Sequence, residues 1–241
     1  MRRSILAAVV LSVLVALAGG AYLYFFSGLR TTPKPLSMAT PTPASSGSAN
    51  ATVVGDTSLV GRWKVGTGSQ VGYRVREQFV GQTSPHEAVA RTSSVSGGLT
   101  VQPGADGLEA TGIALTADLT GLHSVDQVAG FNVSQRDFVV SRTLSVSQYP
   151  TATFRADQIP LPSNLAGGST VTLTIPGELT IHGVARNITV TSQVRVNGDR
   201  AEATGSATID MRDFGISPPQ VPITTVQPQV TVEFQLELVR S

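Results

Sequence analysis

"VQPQVTVEFQLEL", residues 226–238, alternates strictly from Val230 onward. Val230, Val232, Phe234, Leu236 and Leu238 fall on one side, and Thr231, Glu233, Gln235 and Glu237 on the other. A period of two is the pattern of a strand with one apolar face. "NITVTSQVRV" (187–196) repeats it, with Ile188, Val190, Val194 and Val196 opposite Thr189, Thr191, Gln193 and Arg195. Further runs of the same kind extend toward the N-terminus: "RAEATGSATIDM", "TVTLTIPGELTI", "TATFRADQI", "LEATGIALTADLTGL" and, first in the chain, "SQVGYRVREQF" at 69–79.

The breaks between these runs are short. Asn197-Gly198 is a two-residue hairpin signal, and short links between sequential strands make neighbours antiparallel. Eight or more strands are expected. A sheet of that size forms a sandwich or closes on itself, and closure removes vulnerable edges. An eight-stranded barrel is just wide enough to be filled by side chains or to hold one small ligand. Nine aromatic residues serve the region after Ser58: Trp63, Tyr73, Phe79, Phe131, Phe138, Tyr149, Phe154, Phe214 and Phe234. Small residues recur at alternate positions, Ala203, Gly205 and Ala207 in one run and Ala110, Gly112 and Ala114 in another. They leave room for a cavity, or they let neighbouring faces pack closely; pattern alone keeps both open. "SVDQVAGFNVSQRDFVVSRTLS" (124–145) breaks the alternation and reads as one or two short helices capping a barrel mouth. The expected fold is all-β, an antiparallel barrel of about eight strands over residues 59–241.

Ahead of it, Arg2 and Arg3 precede an apolar run from Ile5 to Phe26. At about 1.5 Å rise per residue such a run spans a hydrocarbon core of about 30 Å. Tyr22, Tyr24, Phe25 and Phe26 suit the far headgroup level, and the arginines suit the cytoplasmic side. Ala16-Leu17-Ala18 also fits a signal-peptide cleavage site. Residues 1–27 are therefore a transmembrane signal anchor or a cleaved signal peptide, and in both cases the remainder is exported. Residues 28–58, with Pro33, Pro35, Pro41 and Pro43 among Ser, Thr and Ala, read as a mobile spacer. The domain is expected at the outer side of the cell membrane, or periplasmic or secreted after cleavage.

The chain has no cysteine, which excludes disulfides, thiolate metal sites, a cysteine nucleophile and a lipoprotein anchor. From Ser58 onward there are 13 basic and 15 acidic side chains, so no basic stripe for nucleic acid exists there.

Five stretches in order along the chain resemble the YceI-like family of exported, lipocalin-like barrels. They are "SQVGYRVREQF" (69–79), "SVSGGLTV" (94–101), "RDFVVSRTLSVSQYPTATF" (136–154), "GELTIHGVARNITV" (177–190) and "DFGI" (213–216). The resemblance covers Leu59 to Leu238. It implies a hydrophobic tunnel under a cap helix, holding a polyisoprenoid-type chain such as a quinone or polyprenyl lipid, with no cofactor required. Phe138 and Val139 stand where the family often has a histidine after its Arg-Asp pair, so the cap shapes its own mouth.

Candidate ligand contacts are Tyr73, Phe79, Phe131, Arg136, Phe138, Phe154, His182 and Phe214. The aromatics serve as core or as tunnel wall. Arg136 either pairs with Asp137 to fasten the cap or faces a polar head. His182 is a hydrogen-bonded turn residue or a contact at the mouth. His86 and His123 lack ligand spacing, so no metal site and no catalytic residue is expected. "RDFGI" and "GTGSQVG" echo nucleotide motifs without their context. The expected partners are the lipid and the membrane, with a homodimer compatible. Two other classes stay open: an enzyme acting on a lipid inside the barrel through His182 or Asp137, and a surface adaptor with a filled interior.

Overall fold

The alternating runs pair in the order they occur. The computed structural model describes residues 12–16, 30–38, 59–81, 85–128, 132–222 and 224–241. Of the apolar N-terminal run only residues 12–16 are among these, as helix. The expected anchor or signal peptide otherwise lies outside the described residues, among which no helix is long and apolar enough to cross a membrane.

The strands are β1 (Arg30–Thr31), β2 (Gly61–Val65), β3 (Gln70–Phe79), β4 (His86–Thr92), β5 (Val95–Gly104), β6 (Gly107–Asp118), β7 (His123–Ser124) and β8 (Gln127–Val128). Helix α1 (Ser134–Thr143) follows, then β9 (Thr151–Pro160), β10 (Val171–Ile181), β11 (Val184–Asn197), β12 (Arg200–Asp210), β13 (Gln220–Val221) and β14 (Thr224–Arg240). β2 and β3 are halves of one wall strand, both antiparallel to β14. The kink between them is held by Ser69, whose hydroxyl donates to the Gly66 carbonyl at 2.9 Å and accepts from the Glu237 N–H at 3.0 Å. β4 and β5 form a second kinked strand against them. β6, β9, β10, β11 and β12 continue the meander, and β12 pairs with β14 along its whole length. Eight antiparallel wall strands thus close into a barrel, as the alternation predicts.

Two sequence details shift. β11 and β12 pair as far as Asn197 with Arg200, so the hairpin loop is Gly198-Asp199, one residue later than Asn197-Gly198. The expected small face of Ala110, Gly112 and Ala114 is split, because the β5–β6 register shifts near Gly112, whose φ is +58°. Such a bulge turns the strand over, and Ile113 joins Ala110 in the core. His182-Gly183, with φ of 55° and 73°, forms the two-residue loop between β10 and β11.

One barrel end is plugged. Trp63 donates from its indole N–H to the Leu59 carbonyl at 2.9 Å and packs with Leu165, Val196 and Leu238. β9 meets β10 only from Thr153 to Arg155, and the short 3-10 helix Ser163–Gly167 brings Leu165 in where the two strands part. The other end carries α1 and the turn Met211–Phe214.

Of the expected spacer, residues 30–38 are among the described residues. They lie against the outside of the barrel: β1 pairs with β8, and the Pro33 and Lys34 carbonyls accept from Arg74 and Arg91.

Glycine marks where neighbouring backbones crowd. A Cβ on Gly98 would sit 2.1 Å from the Trp63 carbonyl oxygen, whereas one on Gly167 would meet nothing within 4 Å. Gly98→Ala is expected to cost about 2–3 kcal/mol, and Gly167→Ala to stay within about 0.5 kcal/mol of wild type, measured by urea unfolding.

Candidate functional site

Inward-facing aliphatic side chains line the barrel but do not fill it. They enclose a cavity of about 680 Å³ that runs from the Trp63 plug to the underside of α1. Its wall is almost wholly apolar, with Ile113, Leu179, Val190, Ala203, Val232 and Leu236 contributing from successive strands. Small inner residues such as Ala203 keep the width open, as a bulky set would not.

Helix α1 faces the cavity with Arg136, Val139, Val140 and Thr143, the spacing of one helical stripe. The cavity reaches solvent beside this helix. Asn132, Gln135 and Pro222 line it there and are themselves exposed.

Charge gathers at this mouth. In β3 the inward set runs Tyr73, Val75, Glu77, Phe79, so Glu77 sits where alternation demands an apolar residue. Its register partner is His86. Arg136 reaches between two buried carboxylates, 2.5 Å from Glu77 Oε1 and 2.7 Å from Asp126 Oδ1. Asp126 also meets His86 Nε2 at 2.6 Å and accepts from the Val89 N–H at 3.0 Å. Asp137, next along the helix, accepts from the Ser124 N–H and hydroxyl at 2.8 and 2.6 Å. Arg136 and Asp137 therefore do not pair with each other; each fastens the first turn of α1 to a different part of the barrel.

The protonation balance follows burial first. Burial pushes the Glu77 carboxyl up, against the pull of Arg136. Burial also opposes ionisation of Asp126, but bonds from His86, the Val89 N–H and Arg136 outweigh it and hold that carboxyl below its ordinary value. Burial disfavours the Arg136 cation, and the Glu77 and Asp126 charges overcome this and raise it. Tyr73, half-buried beside the cluster, has its phenol pushed well above the usual range by desolvation. Glu77, His86 and Asp126 are close enough to share a cation. The Arg136 guanidinium already bridges the two carboxylates, so a metal would have to displace it.

The eight expected contacts divide. Tyr73, Phe79, Arg136 and Phe154 line the cavity. Phe131 lies outside the described residues. The other three lie off the cavity wall. Phe138 is 66 % exposed, on the helix face away from the Arg136 stripe, with the Arg142 guanidinium 5.7 Å from its ring centroid. Phe214 is buried in the cluster of Met211 and Ile216, off the cavity wall. His182 is off the wall as well. Its Nδ1 lies 3.3 Å from the Phe214 carbonyl oxygen and its Nε2 3.3 Å from the Ser145 hydroxyl, with the ring edge-on to Tyr149 at 5.1 Å. It ties the hairpin to the segment after α1 and to the Met211–Phe214 turn. Sequence reasoning missed Glu77, His86 and Asp126. The misplaced Glu77 in an apolar face was the available signal; Asp126 had none, because it meets the others only through the fold.

Arg136→Met would leave two carboxylates buried without their cation and is expected to cost about 3–5 kcal/mol. Phe138→Ser should change stability by less than about 0.5 kcal/mol. Urea denaturation of both variants checks the assignment. His182→Asn keeps a residue suited to positive φ before Gly183. It should fold and melt as the wild type does, read by thermal unfolding followed by circular dichroism.

Comparison with known proteins agrees with this architecture. The profile of the YceI-like domain matches residues 63–238. A UPF0312 protein of Pseudomonas aeruginosa (strain LESB58) is 37 % identical over 79 residues, 30 % of this chain and 38 % of that protein. The chain thus matches well under half the length of that relative. Among solved structures, a polyisoprenoid binding domain from Saccharophagus degradans superposes with a TM-score of 0.55 at 18 % identity, covering 76 % of this chain and 99 % of that one. At that identity the likeness is one of fold.

Proposed function

The chain belongs to the YceI-like domain family, and from that premise we propose that it binds and shields a polyisoprenoid-type lipid in its barrel. The observation that carries this is the hollow itself. An apolar cavity of about 150 Å³ already takes up benzene, and this one is about 680 Å³ with almost no polar surface on its wall. Each buried CH₂ contributes about 0.8 kcal/mol, so a chain of about twenty carbons gains on the order of 10 kcal/mol before ordering costs. The S. degradans domain of the same fold is described as polyisoprenoid binding, which supports the lipid class.

Polar groups at one end give the ligand a direction. Glu77, Arg136 and Tyr73 stand at the mouth, and the opposite end is closed by Trp63 and Leu165. The tail enters toward the plug and a quinone or polyprenyl head stays near Arg136. The protein acts as a carrier and not as a catalyst. His182, which an enzymatic reading would use, is turned to the Phe214 carbonyl and the Ser145 hydroxyl, and Asp137 is committed to Ser124. The domain works outside the cytoplasm, held by the apolar N-terminal run or released by its cleavage.

Native mass spectrometry of protein purified from its own host should show a co-purifying lipid of isoprenoid mass. Ala203→Trp places a large ring in the hollow and should abolish that adduct, while Phe138→Ser on the outside should retain it. Absence of any adduct, together with no uptake of a fluorescent isoprenoid by delipidated protein, would overturn the reading.

A further inference from the structure

Residues 30–38 approach the barrel from the end where the cavity opens. β1 pairs Arg30 with Val128 and Thr31 with Gln127, just after Asp126 of the mouth cluster. The chain then descends the outer wall. The Thr32 hydroxyl donates to the Glu87 carbonyl at 3.5 Å. The Pro33 carbonyl accepts from Arg74 at 2.6 Å, the Lys34 carbonyl accepts from Arg91 at 2.7 Å, and the Leu36 N–H donates to Glu233 at 3.2 Å. Beneath this strap Glu233 binds both Arg74 and Arg91 and is 4 % exposed, with Arg74 at 5 %. Glu87 also meets Arg74 at 2.7 Å, so the two cations face two carboxylates, and removing the strap would strip backbone partners from both arginines.

The strap reverses the expected geometry of attachment. The wall begins at Gly61, at the plugged end, so a free spacer would tether the barrel by the end away from its mouth. With Arg30 fixed beside Val128, only four residue steps separate the mouth end from Phe26, the last residue of the apolar run. Four steps span at most about 14 Å. The same end carries the two most exposed large apolar side chains among the described residues, Val80 at 74 % and Phe138 at 66 %. Both become reasonable where a bilayer surface lies against them.

We propose that the strap is an orientation latch: it holds the cap face, with Val80 and Phe138, against the surface of the membrane in which the N-terminal run is embedded. The cavity mouth then faces its lipid source, and a ligand passes between bilayer and barrel over a short path. The inference rests on the anchored reading of the N-terminus.

The chain has no cysteine, so single labels are unambiguous. Full-length Phe138→Cys and Asp106→Cys, the latter in the β5–β6 turn at the plugged end, are labelled with one fluorophore. Each is reconstituted into phosphatidylcholine–phosphatidylglycerol vesicles doped with nitroxide-headgroup lipid. Quenching at position 138 should exceed that at 106 several-fold. A Gly/Ser insertion of about ten residues between Gly28 and Leu29 adds about 33 Å of reach and should bring the two positions level. The same insertion between Ser46 and Gly47, behind the strap, should leave the difference intact. Neither insertion touches the barrel, and circular dichroism checks that it stays folded. Protein that floats with the vesicles but is quenched equally at both positions overturns the latch alone. So does loss of the difference on the insertion behind the strap. Failure to float overturns the anchored reading and the latch together.

Discussion

Closure of the sheet is the constraint on which everything else depends. Because β14 pairs with β12 on one side and with β2 and β3 on the other, the wall strands satisfy one another around a full circle. A closed wall holds its shape through backbone bonds and needs no solid core to keep its faces apart. An open two-layer sheet with the same inner residues would collapse to native packing density. Closure therefore lets small and medium aliphatic residues face a hollow, and it is the reason a lipid-sized cavity coexists with a stable fold.

A hollow must still be kept from water at its open end. α1 covers part of that end and is held there by a charged clasp. Arg136 is held by Glu77 and Asp126, and Asp137 by the Ser124 backbone and hydroxyl. Buried charges of this kind contribute little net stability compared with apolar packing, but pulling one partner away from the others is costly. The clasp sets where the helix sits, and the helix stripe of Val139 and Val140 completes the apolar roof. His182 works on the same rim from the other side, joining the β10–β11 hairpin to the segment after α1. The outer Arg74–Glu233–Arg91 group repeats the device for the strap. One barrel thus uses apolar residues for capacity and buried ion pairs for position.

The alternation of strands such as 226–238, the short hairpin loops and the absence of alternation over 124–145 made the barrel and its cap legible before any coordinates. Tyr73, Phe79 and Phe154 were legible as inward-facing because they share the apolar phase of their strands, and Arg136 was visible only as a member of the cap segment. Phe138 and Phe214 were not separable from these by residue type. Their phase depends on the rotation of a short helix and of a 3-10 turn, and neither has enough periodic length to reveal it. Glu77 was visible as a break in phase, but its meaning was not, since its partners Asp126 and Arg136 are 49 and 59 positions away.

By itself the sequence determined the fold class, a sheet of about eight antiparallel strands, the apolar character of one face and the exclusion of thiol chemistry. These follow from local periodicity and composition, which act over a few residues. Only the tertiary structure decided that the apolar faces enclose a hollow and do not mesh, that Arg136 bridges two carboxylates, and that residues 30–38 leave the spacer to bind the barrel. Each of these depends on which distant segments meet when the sheet closes, and that geometry is set by strand register and bulges around the whole ring.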